Sequence, residues 1–537
     1  MWVTSSHCKQ LLFYDMKIIL YLLIHLILIF TYHTGSTQND IKSSISQSRI
    51  KEYVDFLASD ELNGRGIGSP ELTKAAHYIQ EQLIKLNVKK PPSGYLQPFT
   101  LTRISADKTN STITVSNKKG RTKKQTNQFV ALNQTKDTVT INGEFIFAGF
   151  GPSLNSEGNT SQTLPDINGK IVLYSAGSPQ LYLNKASGEW NNPLEQKKIE
   201  ALFRSGAKAL ILVTSPEDTE NITYRHFENL SERQKYSLPN KSSDNSRAIF
   251  IVHPQTAEKL MRGSFNWSKA LAKAAHQNDE SFISVDNKNI IIQSILNREA
   301  VPAMNVAGYL EGSDSILKHE HVVFISHYDH LGRNEDGEIF NGADDNASGV
   351  AAVLETAGLF SYTEQKPRRS IVFLFPSAEE VGLLGSGYYS QNPVFPLENT
   401  VACINLDMVG RVSEPRDSVW ANSPKPAKDF NGIYVLANKF DPTLKTIADS
   451  TCRQLELVPD HSLPERFFYS SDHYHFHKNK VPVLNFSTGY TADYHKITDT
   501  SDRIRTDKIQ RVVQLCYLVG MELASKDSSQ NYLQEKK

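Results

Sequence analysis

Cysteine is scarce in this chain: 537 residues contain four, Cys8, Cys403, Cys452 and Cys516. Cys8 would leave with an N-terminal export signal, and the odd number remaining excludes a disulfide framework. Cys403 and Cys516 fall in the interiors of a predicted strand and a predicted helix, where a small buried hydrophobe is expected. No cysteine follows the apolar N-terminal run, which excludes lipidation there. An excess of one charge is missing too. Lys+Arg and Asp+Glu are 58 each, giving a formal net charge of +0, and neither sign forms a long block. Without a basic stripe, nucleic acid is excluded as a partner. Internal repeats are absent as well, so the chain is not a solenoid or array.

What is present begins with an export signal. Met16-Lys17 precedes an apolar run from Ile18 to Phe30, followed by small and polar residues around Thr34-Gly35-Ser36. The run is shorter than the ~20 apolar residues of a spanning helix, so residues 1–36 are expected to be a cleaved signal peptide with its true start at Met16. The mature protein would then be periplasmic or extracellular, with no stable membrane insertion.

A chain of 537 residues is too long for one ordinary core. Residues 46 to 88 read as helix, loop, helix: Ile50, Val54 and Leu57 are helically spaced, Asp60 to Pro70 interrupts, and Leu72 to Leu86 resumes the period. From 125 to 288 short β-type runs dominate, with one helix near Gln196 to Arg204. That segment reads as an inserted domain rather than a loop. After 290, strands His321–Ser326, Ser370–Phe375, Val401–Leu406 and Val481–Phe486 alternate with helices Ala347–Phe360 and Leu383–Ser390. The expected fold class is α/β: a mixed, largely parallel sheet flanked by helices, with an inserted β-rich α/β domain. The expected divisions are residues 44–124 and 289–526 for the main domain, 125–288 for the insertion, and 527–537 for a polar tail.

Functional crevices in such sheets lie beyond the carboxyl ends of the strands. His327 and Asp407 directly follow predicted strands, Glu379 and Glu380 follow another by a short loop, and His495 lies in the loop after Val481–Phe486. Asp345 sits in Asn341-Gly342-Ala343-Asp344-Asp345-Asn346, immediately before a helix. Alone, each has a plainer role, such as a surface histidine or a helix N-cap. Together His327, Asp345, Glu380, Asp407 and His495 make an imidazole–carboxylate set suited to two zinc ions, with Glu379 unliganded beside it.

These residues stand in motifs that resemble peptidase family M28, a family of zinc peptidases. The motifs are Ser326-His327-Tyr328-Asp329-His330, Asn341 to Gly349, Ser377 to Ser386, Asn405 to Gly410 and Asp493 to Thr500, in the family's order. Leu57 to Pro70 is similar to the family's opening segment. The resemblance implies that Asp345 bridges two Zn2+, that His327 and Asp407 complete one site, and that Glu380 and His495 complete the other. Counting back from Ser348-Gly349 selects Asp345 over Asp344. Asp329 would orient His327 by accepting its N–H. Glu379 would act as general base on a metal-bridging water, and Tyr494 either donates to the developing oxyanion or packs beside His495. The activity implied is that of an exported aminopeptidase acting on peptide or protein N-termini.

Alternatives of similar fold are a glutaminyl-cyclase-like cyclotransferase and a non-catalytic binding or receptor protein. The complete ligand set speaks against both. Asp166 to Leu173 and Gly206 to Leu212 resemble a protease-associated domain within the insertion. His473, His475 and His477 alternate as they would on one face of a strand, but the five ligands already serve two metals. Asn346-Ala347-Ser348 is a glycosylation sequon inside the metal motif, where a glycan would block the site.

Overall fold

Runs such as His321-Val322-Val323-Phe324-Ile325 and Ser370-Ile371-Val372-Phe373-Leu374-Phe375 are apolar at successive positions and need cover on both faces. In the computed structural model both are strands buried along their whole length. The structure describes residues 41–526 except for short internal stretches, the longest being 185–192, 215–221, 240–246 and 418–429. The expected signal and tail lie outside the described residues. Among the described residues no helix is long and apolar enough to cross a membrane. Cys403, Cys452 and Cys516 are free and buried.

The chain divides into two compact units, Met1–Thr100 with Pro302–Lys537, and Leu101–Val301. Strand β1 (Leu96–Ala106) carries it into the second unit, which continues with β2 (Thr112–Asn117), β3 (Thr122–Thr126), β4 (Phe129–Leu132), β5 (Thr138–Phe147), β6 (Ile171–Ser175), β7 (Ala209–Val213), β8 (Lys235–Ser237) and β9 (Ile249–Val252). The long β10 (Ile283–Leu310) returns it. Strands β5, β6, β7 and β9 pair in parallel in that order. Alternate residues of β6 point to opposite faces. Val172 and Tyr174 pack with Ile199 and Leu202 of helix Pro193–Arg204. Ile171 and Leu173 pack with Trp267 and Leu271 of helix Trp267–Gln277.

The unit is wider than the expected insertion, 125–288, on both sides. The reason is strand pairing: β2 lies antiparallel to Lys288–Gln293 of β10, and β5 pairs with the same stretch through Ile295.

In the first unit follow β11 (His321–Ile325), the small hairpin β12 (Gly332–Arg333) and β13 (Ile339–Phe340), β14 (Ser370–Phe375), β15 (Thr400–Leu406), β16 (Gly432–Ala437), β17 (Val458–Asp460) and β18 (Val483–Ser487). The strand order is β17-β16-β18-β15-β11-β14-β10. The central strands β14, β11, β15 and β18 are mutually parallel, whereas β10 joins β14 and β16 joins β18 antiparallel. The sheet is therefore mixed and mostly parallel, as expected.

Val322 and Phe324 face one core, with helices Gln47–Leu57, Gly349–Tyr362 and Thr506–Ser525, while Val323 and Ile325 face the other, with Tyr389, Phe468 and Phe476. Helix Gly349–Tyr362 opens Gly-Val-Ala-Ala-Val-Leu and is buried on nearly every side. The N-terminal helix is fastened to it by Arg49, whose Nε and Nη2 donate to the two oxygens of buried Glu355 at 3.1 and 2.6 Å, and Ser46 N donates to Oε1 at 2.7 Å. Paired, bidentate geometry of this kind fixes position as well as lowering energy.

Candidate metal centre

Because β14, β11, β15 and β18 are parallel neighbours, the loops that follow them open at one edge of the sheet, and these loops carry the expected ligands. His327 Nε2 lies 3.4 Å from Asp345 Oδ1, 3.6 Å from Asp407 Oδ1 and 3.9 Å from Glu379 Oε2. His495 Nε2 lies 3.2 Å from both Asp345 Oδ2 and Glu380 Oε2. Asp345 thus turns one oxygen to each group. Its neighbour Asp344 turns away: its Oδ1 accepts from Gly410 N at 2.8 Å.

The donor set fits zinc. A tetrahedral ion with bonds of roughly 2.0–2.1 Å separates neighbouring donors by about 3.3 Å, close to the 3.2, 3.4 and 3.6 Å found here.

His330 also enters this cluster, although the sequence reading assigned it no role. With Asp345 and Glu380 it offers ligand atoms lying within 4.8 Å of one another. Its Nδ1 is 2.6 Å from Glu380 Oε1, while His495 takes Oε2, and its Nε2 is buried without a hydrogen-bond partner. The available signal was its place three residues after His327 in the same short loop.

The electrostatics are those of a dense, largely buried cluster. Burial works against a charged His327, yet Glu379, Asp407 and Asp345 overcome it and hold the imidazole well above its ordinary pKa. His495 likewise rises to about 10 against its burial, through Asp345 and Glu380. Burial raises Glu379 well above the carboxylate range, with His327 opposing and Glu380, Asp407 and Asp472 adding to the rise. A cation bound alongside would reverse that trend and hold Glu379 ionised.

Asp329 differs from expectation in what its carboxylate does. His327 Nδ1 lies 3.3 Å from the backbone oxygen of Asp329, while Oδ1 is 3.8 Å away. The carboxylate instead accepts from Glu379 N at 3.1 Å and Glu380 N at 3.4 Å. The tight turn after β11 leaves the carbonyl nearer to the ring than the side chain, so one residue holds both the histidine and the glutamate loop. Asp499, within the Asp493-to-Thr500 motif, accepts from Asp344 N and Asp345 N at 3.0 and 3.1 Å and fixes the turn that presents Asp345.

The ring of Tyr494 stacks on His495 with centroids 3.8 Å apart and meets Tyr490 edge-on at 4.5 Å. The ring thus packs beside the histidine. The His473-to-His477 stretch is helical, not a strand, so His475 does not share a face with His473 and His477. His473 is occupied with Asn405 and the carbonyl of Phe467. Asn346 is fully buried, its amide donating to Leu406 O and accepting from Met408 N and Gly349 N, which leaves no access for a glycan.

Imidazoles and carboxylates gathered at the carboxyl ends of parallel strands, with a further carboxylate alongside, form a centre suited to holding divalent metal ions. Residues 305–519 match the model of peptidase family M28. The chain is similar to aminopeptidase YwaD of Bacillus subtilis (strain 168), 28% identical over 220 residues, 39% of this chain and 43% of the relative. A probable zinc metalloprotease of Pyrenophora teres f. teres is 34% identical over 246 residues, 45% and 48% of the two chains. The matches thus span less than half the length of these curated relatives. Among solved structures, an aminopeptidase from Aneurinibacillus sp. strain AM-1 shares the fold, with TM-score 0.52 and 19% identity over 91% of this chain and 97% of that one.

Proposed function

We propose that the protein is an exported aminopeptidase that holds two zinc ions and releases residues from the N-termini of peptides or proteins. The observation that carries this reading is the orientation of Asp345, one oxygen toward His327 and the other toward His495. His327 and Asp407 would complete one site, Glu380 and His495 the other. Bound zinc supplies Lewis acidity toward the scissile carbonyl and favours ionisation of water.

Glu379 lies 3.9 Å from His327 Nε2 with a mostly buried side chain, and it is not needed as a ligand. It would take the proton of the attacking water and return it to the leaving amine. Asp329 would keep Glu379 and Glu380 aimed through their backbone amides, and Tyr494 would keep the His495 ring in its plane. The apolar run after Met16 supports export, and the parallel β5, β6, β7 and β9 with their helices support a protease-associated-like second unit.

The test is hydrolysis of amino-acid nitroanilides against N-blocked peptides by the zinc-loaded protein, with Glu379→Gln alongside. Cleavage of free-amine substrates alone, about 10²–10⁴-fold slower in the variant at unchanged zinc content, is expected. Equal cleavage of blocked peptides would refute exopeptidase action. Loss of a zinc ion from Glu379→Gln would instead reverse the roles of Glu379 and Glu380.

A further inference from the structure

The residue that stands out beyond the ligand cluster is Arg65, 1% exposed and among the largest fully buried side chains of the protein. Among the described residues it makes no ion pair. Every hydrogen bond its guanidinium makes among the described residues goes to a backbone carbonyl: Nε donates to Tyr328 O at 2.8 Å, Nη1 to Asn341 O at 2.7 Å and to Leu57 O, and Nη2 to Gly342 O at 2.9 Å. Tyr328 separates His327 from Asp329, and Asn341-Gly342 leads into Asp345. One planar fork therefore spans the two loops that supply the ligand His327 and the shared carboxylate Asp345.

The backbone is shaped to deliver this side chain. Asn63, Gly64 and Arg65 are all left-handed, with φ of 44, 70 and 52°. A Cβ on Gly64 would come within 2.4 Å of the carbonyls of Gly332 and Phe340, so only glycine fits beneath the hairpin. Reciprocal bonds complete the join. His330 N donates to Arg65 O at 3.2 Å, and Asn341 Nδ2 donates to Ala58 O and Asp60 Oδ1 at 2.9 and 2.8 Å.

A buried guanidinium without a paired carboxylate is costly. Burial lowers the Arg65 pKa to about 10, with Asp329, Asp345, Asp499 and Glu380 working to raise it, so the side chain stays cationic at neutral pH. Its positive charge lies among these carboxylates, alongside the charged His327 and His495. A neutral side chain of similar volume would fill the space but would not hold four carbonyls.

We infer that Arg65 is a positioning residue that holds the His327–His330 and Asn341–Asp345 loops in ligand-ready geometry in the metal-free protein. The inference rests on the two-zinc reading and adds that the site is formed before metal arrives.

The test uses the full chain, stripped with a chelator, as wild type, Arg65→Lys and Arg65→Met. Zinc affinity is measured by competition with a chromophoric chelator, and the geometry of the centre is read from the visible spectrum of the cobalt(II)-substituted protein. Zinc affinity about 10–100-fold weaker in both variants is expected, the scale of effects seen when groups supporting metal ligands are removed. An altered cobalt spectrum and a smaller rise of Tm on adding zinc should accompany it. Lysine should not rescue, since an ammonium has three donors and no fork.

Wild-type zinc affinity and an unchanged cobalt spectrum in both variants, with only a lower Tm in metal-free and zinc-loaded protein alike, would overturn the inference by reducing Arg65 to a structural brace. Should neither Arg65 variant fold, Asn341→Ala carries the test by releasing the second loop from the same N-terminal segment. Weakened zinc binding there supports the inference and unchanged binding overturns it. A wild-type chain that bound no zinc would instead overturn the two-zinc reading itself.

Discussion

Replacing Asp329 by asparagine separates the stability of the centre from its function. The carboxylate is fully buried and accepts from the amides of Glu379 and Glu380. Burial, the leading cause, lifts its pKa from an ordinary 3.8 to about 6, His327 opposing and Glu380 adding to the rise. Because the folded value is the higher one, the ionised carboxylate destabilises the metal-free fold, by roughly 3 kcal/mol for a rise of this size. That penalty is absent below about pH 4 and complete above about pH 6. Asparagine removes it.

Asparagine keeps one oxygen for Glu379 N but turns an NH2 toward Glu380 N, which loses its acceptor at a cost of about 1–3 kcal/mol. The two effects nearly cancel, so urea denaturation of metal-free Asp329→Asn at pH 7 should differ from wild type by no more than about 2 kcal/mol. The alignment of Glu380 is lost all the same, so zinc affinity should fall about 10–100-fold. A variant that bound zinc like wild type, or lost more than about 4 kcal/mol of metal-free stability, would refute this account of what the carboxylate does.

The neighbouring aspartates should behave oppositely. Asp345→Ala should lower occupancy of both zinc sites by elemental analysis, since each loses a donor, whereas Asp344→Ala should keep its zinc, the buried-carboxyl penalty it relieves offsetting the acceptor lost by Gly410 N; the reverse pattern would overturn the assignment of Asp345 as bridge. Acid should unfold the protein partly through His321, which burial holds at about 4 against an ordinary 6.5 and whose ring stacks on Phe395. A depressed histidine pKa means that the unfolded chain takes up the proton first. The neutral form's contribution is therefore complete above pH 6.5 and lost as pH falls toward 4, up to about 3 kcal/mol. His321→Phe, which keeps the stack, should flatten the dependence of the urea midpoint between pH 7 and 5, and an unchanged slope would count against it.

Much of this was legible because the central strands are buried on both faces: Val322 to Ile325 and Ile371 to Phe375 can hardly be anything else, and a ligand just past such a strand is at the sheet edge by construction. What escaped lacked a local pattern. β10 mixes Asn, Gln, Arg and Pro with its apolar residues, so its 28-residue length was invisible. The limits of the second unit depend on Thr112–Asn117 meeting Lys288–Gln293, a pairing between distant segments. The six-residue helix His473–Lys478 is too short for its period to be told from alternation. His330 and Arg65 sit in loops, where spacing says little about direction.

The order of the parallel strands has a consequence for how the protein reaches its native state. β11 pairs with both β14 and β15, and β15 with β18, so the residues from His327 to His495 meet only after several long crossovers have closed. Each closure costs chain entropy before any contact repays it. Metal cannot nucleate such a fold, because no unfolded segment holds more than a fragment of the donor set. Zinc would then act as a lock on the finished molecule, each ion worth about 2.7 kcal/mol when present at a hundred times its dissociation constant, and metal scarcity would shorten the lifetime of the folded protein rather than slow its formation.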